Sequence, residues 1–224
     1  MNLKRFFIYS LTALLFSSLM GCIGSGSLEK ANEAYDLYQF NTAIVLYKKL
    51  VSKERDKKQK GAITMKIGQA YEQMGDYKKA ENYYSKVLKY VSNDPEVYFY
   101  IADMQKRQEK YEDAIITFNN YNREMPGDPK GAIGLKSCED AVKWKNEKTR
   151  YVVENFKILN SKSNDFAPMY YKKGAMVFTS DREASSGSRL YDWTNEKHTD
   201  IYVSTITGKR GSKKLAKPVL IDED

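Results

Sequence analysis

The sequence predicts an all-α solenoid of paired helices over residues 28–147, followed by β-structure over residues 148–224. In the first part, a pattern of small and aromatic residues recurs after 34 residues, which is typical of stacked helical hairpins. After Trp144 the helical period stops, and short apolar runs alternate with turn residues. A further apolar run near the first residue sets residues 1–21 apart from both folded parts.

Composition limits the class of protein. Of 224 residues, 42% are hydrophobic and 29% are charged, which excludes a collagen-like, low-complexity or multi-span membrane protein. The formal net charge is +8, yet residues 23–147 hold 21 basic and 19 acidic groups. Since a nucleic-acid interface usually carries a basic stripe, we expect no nucleic-acid partner.

The apolar run has the features of a secretory signal. Lys4 and Arg5 precede it, and residues 6–20 carry no charge. As a helix these 15 residues would extend about 22 Å, short of the roughly 30 Å of a hydrocarbon core. We therefore predict a signal peptide over residues 1–21.

The end of this segment resembles the lipobox of bacterial lipoproteins. Its residues are Leu19, Met20, Gly21 and Cys22. Met20 departs from the small residue usual at its position. The resemblance implies that the Cys22 thiol takes a diacylglyceryl group, that the chain is cut before Cys22 and that the new amine is acylated, with residues 22–27 as a lipidated tether. The alternative is an ordinary signal peptide followed by a chance cysteine.

The remaining chemistry-bearing residues indicate no enzyme, metal or cofactor. His198 is the only histidine, so no catalytic triad or zinc cluster can form. Cys138 is left without a partner and is interpreted as a small buried hydrophobe. Asp181 and Asp200 are interpreted as side chains that cap tight turns.

The repeated pattern resembles the tetratricopeptide repeat. Ala80 and Ala114, 34 residues apart, take the small position of the second helix, and an earlier copy has Ala43, 37 residues before Ala80. The three extra residues are expected between helices, in residues 54–60. A half copy after Pro129 is expected to form a capping helix. The expected packing residues are Gly68, Tyr71, Tyr77, Ala80, Tyr84, Ala102, Tyr111, Ala114, Phe118 and Pro126.

In this family, ligands bind the concave face, which the first helix of each pair lines. Twelve of the 18 tyrosines lie in residues 28–147 and are interpreted as packing residues. The concave positions carry amide, apolar and charged side chains, a mixture suited to an extended or helical peptide. These residues are Asn32, Tyr35, Asp36, Met65, Gln69, Glu72, Gln73, Phe99, Asp103, Lys106 and Arg107.

The second part is predicted to contain strands at residues 151–159, 175–179 and 200–208. A turn-rich link at residues 161–168 and a polar loop at residues 183–199 separate them. The motifs D-F-A-P, V-F-T-S-D-R and D-I-Y-V resemble one blade of a TolB-type β-propeller, whose first strand opens at the proline. Because one blade cannot close a propeller, residues 148–224 are expected to be the start of a propeller that this chain truncates.

Lipobox, repeats and propeller blade in this order resemble a group of Bacteroidetes outer-membrane lipoproteins that continue into an OmpA-like domain. The resemblance implies a lipid-anchored scaffold on the periplasmic face of the outer membrane. Such a scaffold would bind envelope proteins through the repeat groove and anchor a secretion or gliding machinery of type IX. Peptidoglycan would be bound only by a domain beyond this chain. The alternatives are a barrel-assembly lipoprotein and a glycan-binding lipoprotein of nutrient uptake.

Overall fold

The computed structural model describes residues 22–171, 174–187, 189–207 and 214–221. The chain divides into two compact units, Met1–Glu147 and Lys148–Asp224. The predicted signal peptide, with Leu19, Met20 and Gly21, lies outside the described residues, as does the side chain of Cys22.

The described part of the first unit is a run of seven helices in which sequential neighbours pack against each other. They are α1 (Cys22–Asp36), α2 (Phe40–Lys53), α3 (Lys57–Gln73), α4 (Tyr77–Val87), α5 (Pro95–Arg107), α6 (Tyr111–Glu124) and α7 (Pro129–Asn146). Helix α1 begins at Cys22 and so includes the segment predicted as a tether. Once a helix has formed, each added residue contributes a backbone hydrogen bond without a further cost of nucleation. None of the described helices combines the length and apolarity required to cross a membrane.

Aspartate caps set the starts of four helices. The side chains of Asp56, Asp76, Asp94 and Asp128 accept hydrogen bonds from backbone N–H groups in the first turns of α3, α4, α5 and α7. An N-cap carboxylate satisfies a donor that the helix itself cannot pair. Because Asp56 caps α3, the link after α2 is only residues 54–56, and residues 57–60 belong to the helix. The expectation of a longer interhelical stretch over residues 54–60 was wrong.

The turn inside each helical pair repeats with the same backbone conformation. Tyr38, Gly75 and Glu109 all have a positive φ, of 59°, 78° and 61°. Their separations of 37 and 34 residues equal the repeat spacings in the sequence. The left-handed conformation favours glycine, which only Gly75 supplies. The repeat geometry therefore imposes this conformation on two residues whose identity does not predict it.

Small residues let the helices of a pair approach closely. A Cβ at Gly68 of α3 would lie 2.6 Å from the Tyr84 ring of α4. Ala80 and Ala114 have no exposed surface, and Tyr84 and Phe118 are also fully buried. Of the expected packing residues, Pro126 differs because it is exposed in the turn before α7. Near the end of α7, Trp144 is 65% exposed.

The second unit contains one antiparallel sheet. Its strands are β1 (Asp165–Tyr171), β2 (Ala175–Ser180), β3 (Asp200–Thr207), β4 (Lys214–Leu215) and β5 (Val219–Leu220). Strand β2 pairs with β1 and β3, and β3 also pairs with β4 and β5 at different residues. The strands predicted at residues 175–179 and 200–208 agree with β2 and β3. That this sheet is a propeller blade stays a prediction.

Two predictions in this unit were wrong. Residues 151–159 form no strand, and Val152 and Val153 are 85% and 94% exposed. β-branched residues form a strand only where a partner strand accepts their hydrogen bonds. Strand β1 opens at Asp165 rather than at Pro168, and its pairing with β2 shifts register between Phe166 and Met169. The proline is tolerated there because β1 is an edge strand with an irregularity at that point.

Candidate protein-binding face of the helical unit

The predicted groove residues fall on the first helix of each of three pairs. Helix α1 carries Asn32, Tyr35 and Asp36; helix α3 carries Met65, Gln69, Glu72 and Gln73; helix α5 carries Phe99, Asp103, Lys106 and Arg107. We call the surface formed by these residues the groove face.

Tyrosines from neighbouring helices gather around the Glu72 carboxylate on this face. The Tyr84 hydroxyl donates to Oε2 of Glu72 at 2.5 Å, and the Tyr100 ring stacks on Tyr84 with centroids 5.1 Å apart. Burial, followed by the charge of Glu72, raises the pKa of the Tyr35 hydroxyl, and burial, followed by the hydrogen bond to Glu72, raises the pKa of Tyr84. The Glu72 carboxylate therefore acts on tyrosines of three different helices, and its position is fixed by the Tyr84 hydrogen bond.

An ion cluster ends this face on α5. Asp103 bonds to the Lys106 ammonium at 2.9 Å and to Nε of Arg107 at 2.7 Å. Burial alone would raise the pKa of Asp103, but the hydrogen bonds from Arg107 and Lys106 hold it below its usual value. The Arg107 guanidinium also lies over the Tyr77 ring, 5.3 Å from its centroid. These contacts hold two cations in place while leaving Arg107 45% exposed.

Two predicted groove residues serve mainly in packing. The side-chain oxygen of Asn32 accepts the hydrogen bond of the buried Tyr47 hydroxyl at 2.7 Å, and burial raises the pKa of Tyr47 to about 12. Phe99 packs edge-on against Phe118 with centroids 5.9 Å apart, and Lys130 of α7 lies over its ring. Neither residue is a good candidate for direct contact with a partner.

The open part of the groove face is a stripe on α3. Met65 and Gln69 are half-buried and Gln73 is exposed. Their spacing of four residues places all three on one side of the helix. This stripe consists of one apolar side chain and two amides, and Glu72 directly precedes its last residue, Gln73, in α3.

The fold also assembles a lysine–tyrosine cluster that the sequence did not indicate. The Tyr71 and Tyr83 rings stack with centroids 5.4 Å apart, and Lys48 of α2 donates to the Tyr71 hydroxyl at 2.8 Å. Lys79 and Lys86 lie over the two rings, at 5.3 Å and 4.2 Å from the centroids. The lysines come from two helices, so no sequence spacing could have revealed the cluster. Cation–π contacts of this kind hold long side chains in place.

In the second unit, the S-D-R motif forms a structural centre. The Arg182 guanidinium lies over the Phe178 and Tyr202 rings, 4.9 Å and 4.8 Å from their centroids. It donates from Nη2 to Asp165 and to the carbonyl of Leu159, each at 2.6 Å. These partners account for its hydrogen bonding and charge, so the motif stabilises the sheet.

A cleft of about 550 Å³ beside this centre contains the sole histidine, His198. The Asn164 amide donates to both Asp181 and Glu196 at 2.7 Å, and its backbone N–H donates to Asp181 at 2.8 Å. Burial and then the Asp181 charge raise the pKa of Glu196. Asp181 thus bonds to a residue 17 positions away, and Asp200 accepts the hydroxyl hydrogen bond of Ser186, 14 positions away. That these two side chains cap tight turns stays a prediction. The residues that the structure describes contain no cluster of three or more side chains suited to hold a metal ion.

Comparison with known proteins identifies the helical pattern. The tetratricopeptide repeat family matches residues 64–94, which cover the last ten residues of α3, all of α4 and the turn that follows. The described helices thus form a tetratricopeptide-type solenoid, with a single antiparallel sheet after it. No curated protein matches the chain.

Solved structures resemble the helical unit. A MamA double mutant (RS-1) matches with 16% identity and a TM-score of 0.50, over 54% of this chain and 66% of that one. The C-terminal TPR-containing domain of a Plasmodium falciparum FK506-binding protein matches with 22% identity and a TM-score of 0.46, over 56% of this chain and 91% of that one. The Yersinia enterocolitica type III secretion chaperone SycD, bound to a peptide of the translocator YopD, matches with 17% identity and a TM-score of 0.45, over 55% and 94%. The MamA match supports the helical fold.

Proposed function

We propose that the helical unit is a protein-interaction scaffold that binds a peptide segment along the groove face. The observation that carries this proposal is the α3 stripe of Met65, Gln69 and Gln73, which shares the groove face with the Glu72 carboxylate and with two cations of α5 that Asp103 holds in place. Amide side chains can donate to and accept from a peptide backbone, while the methionine can adapt to an apolar side chain. The partner would present a basic residue toward Glu72 and an acidic one toward Arg107.

The same face is poorly suited to glycans, the rival proposed from the sequence. Sugar platforms need exposed aromatic rings, whereas Tyr35 and Phe99 are half-buried. The Tyr35 ring lies against Phe40 and beneath the Lys66 ammonium, which is 5.1 Å from its centroid. A peptide remains the better fit, because it requires side-chain amides and charges more than open ring faces.

Alanine at all three positions of the α3 stripe should abolish most peptide binding. Peptides are first selected from a displayed library on the whole chain, and their affinity is then measured by fluorescence anisotropy. A few residues near the centre of an interface usually carry most of the binding energy, so we expect Met65→Ala, Gln69→Ala and Gln73→Ala together to weaken binding by about tenfold or more. Helix stability should be kept because alanine is the best helix former.

The matched control replaces one apolar and two amide residues at exposed positions of the second helices. These are Val45→Ala, Asn82→Ala and Asn119→Ala, and they should leave affinity unchanged. If the selected peptides bind the stripe variant as tightly as the parent chain, or if both variants lose affinity alike, the groove assignment is wrong.

We further propose that the chain is a lipid-anchored envelope scaffold on the periplasmic face of the outer membrane. The lipobox-like residues before Cys22 support the anchor. The order of repeats and propeller-like motifs supports a place in a type IX secretion or gliding machinery, in the group that includes PorE. A barrel-assembly lipoprotein is the alternative, and co-purified barrel-assembly proteins in place of secretion components would favour it.

Acylation at Cys22 is tested by metabolic labelling with a fatty-acid probe. The parent chain should incorporate label and fractionate with membranes. Cys22→Ser should lose the label, because the acyl group is attached through the thiol, and Cys138→Ser serves as the matched control that keeps it. Equal label on the parent and on Cys22→Ser would rule out this anchor.

A further inference from the structure

One end of the helical unit carries both Cys22 and a concentration of cations. Helices α1 and α2 are antiparallel, since Tyr35 packs against Phe40 while Asn32 bonds to Tyr47. The start of α1 and the end of α2 therefore lie at the same end. Helix α3 begins there after the short link of residues 54–56.

The C-terminal end of α4 meets the same place. A Cβ at Gly61, in the second turn of α3, would lie 2.9 Å from Val91, just after α4. Lys60 also lies over the Tyr90 ring, 5.7 Å from its centroid. We call this surface, where α1 and α3 begin and α2 and α4 end, the Cys22 end.

Eight cations lie at or near the Cys22 end, and all except Lys60 are exposed. They are Lys49, Lys53, Arg55, Lys57, Lys58, Lys60, Lys86 and Lys89. Within the described part of the chain, none of the eight forms a salt bridge.

The two carboxylates within residues 49–60 accept backbone hydrogen bonds in the link between α2 and α3. Oε1 of Glu54 accepts the backbone N–H groups of Arg55 and Asp56, at 2.7 Å and 2.9 Å. Oδ1 of Asp56 accepts the N–H of Gln59 at 2.8 Å as the cap of α3. Both acids thus organise the link between helices, and the positive charge of the surface faces solvent.

Three of the cations occupy a position that a free helix disfavours. Lys57, Lys58 and Lys60 lie in the first turn of α3, which contains no acidic residue. The positive end of the helix dipole repels cations placed there. Their placement therefore weakens the isolated helix, and an anionic surface across from them would relieve this repulsion.

On the side of the unit where α1, α3, α5 and α7 begin, the cations are concentrated near Cys22. Farther along the same side, the start of α5 has an aspartate cap, Asp94, and an acidic residue in its first turn, Glu96. The start of α7 also has an aspartate cap, Asp128. At the opposite end of the helices, most cations have a carboxylate partner: Lys79, Lys106, Arg107, Lys110, Lys143 and Lys145 each form a salt bridge. A uniformly basic unit would not show this contrast.

We propose that the Cys22 end is a docking surface for an anionic lipid bilayer. The choice of a bilayer rests on the proposed acyl anchor, because an acyl group on Cys22 would hold this end of the unit at the membrane. The exposed lysines then contact lipid phosphates and orient the solenoid with its Cys22 end toward the bilayer. The acyl group supplies the attachment, and the cations set the orientation.

Vesicle binding without the acyl group tests the surface by itself. The chain from residue 22 onward keeps every described residue, and Cys22→Ser prevents acylation. Binding is measured by co-sedimentation with phosphatidylcholine vesicles that contain phosphatidylglycerol, and with phosphatidylcholine alone. We expect binding only to the anionic vesicles, and its loss at high salt.

Removing three cations of this end should weaken that binding strongly. Each lysine near an anionic surface strengthens binding by roughly fivefold, so Lys53→Gln, Lys57→Gln and Lys58→Gln together should reduce it on the order of a hundredfold. The matched control, Lys78→Gln, Lys143→Gln and Lys145→Gln, removes the same charge from exposed positions at the opposite end of the helices.

Two other outcomes would overturn the proposal, and neither depends on whether Cys22 is acylated. Equal losses in both variants would show a mere effect of net charge. Binding to polyglutamate with no preference for anionic vesicles would assign the surface to an acidic polypeptide instead. Failure of Cys22 labelling with intact vesicle binding would contradict the anchor and leave the docking surface supported.

Discussion

Phe118→Ala should destabilise the helical unit by about 3–5 kcal/mol. Phe118 of α6 is fully buried and packs with Ala102, Ala114 and Cys138, which come from three different helices. A Cβ at Gly134 of α7 would lie 2.4 Å from its ring, so the backbone of α7 rests directly on this side chain. Removing the ring leaves a cavity that the neighbouring helices cannot fill without moving.

The helical circular dichroism signal, followed against denaturant, measures this loss. Ile116→Ala on the same helix is the control, since Ile116 is 63% exposed and its change should stay within about 0.5 kcal/mol. A Phe118→Ala variant as stable as the control would mean that α5, α6 and α7 do not share one core.

Asp165→Asn should destabilise the sheet unit by about 3–5 kcal/mol, because it leaves a buried guanidinium without its counter-charge. The Asp165 and Arg182 side chains are only 8% and 15% exposed, and their charged atoms lie 2.6 Å apart. Ser180 and Ser161 also donate to the Asp165 carboxylate. Hydrogen exchange of peptides from β2 and β3 measures this unit separately. Asp192→Asn, at an exposed position, is the control and should change little.

The same carboxylate makes the sheet unit sensitive to acid. Burial would raise the pKa of Asp165, but hydrogen bonds from Ser161, Ser180 and Arg182 outweigh it and lower the pKa to about 2. Because the folded pKa lies below the unfolded value, the resulting stability of about 2–3 kcal/mol is present above pH ~4 and is lost as the pH falls toward 2. In Asp165→Asn, the protection factors of amides in β2 and β3, which correct for the intrinsic effect of pH on exchange, should vary less over this pH window. An unchanged acid profile would contradict the role of this pair.

The helical repeats could be predicted because their signals are local. Ala43, Ala80 and Ala114 mark the second helices by spacing alone, and aspartate before Lys57, Tyr77, Pro95 and Pro129 marks four helix starts. Each signal acts within one turn of helix or one helical pair. The strand predicted at residues 151–159 was wrong because a strand depends on a partner that its own residues do not specify.

The groove face could be predicted only in part. The positions of the repeat in the sequence placed eleven residues on the first helices. They could not show that Asn32 is bonded to Tyr47 or that Phe99 is packed beneath Lys130. Nor could it find Tyr100, which stacks on Tyr84 beside the Glu72 carboxylate. These roles depend on the approach of side chains from neighbouring pairs.

By itself the sequence determined the helical pairs, the packing role of most tyrosines in them and the lipobox-like residues before Cys22. Each of these features is set by residues that lie close together in the chain. Only the tertiary structure decided where charge accumulates. Residues 23–147 are nearly balanced in composition, yet antiparallel helices bring cations from residues 49–60 and 86–89 to the Cys22 end. The carboxylates within that region are engaged as caps and link bonds, so the fold produces a basic surface from a nearly neutral stretch of chain.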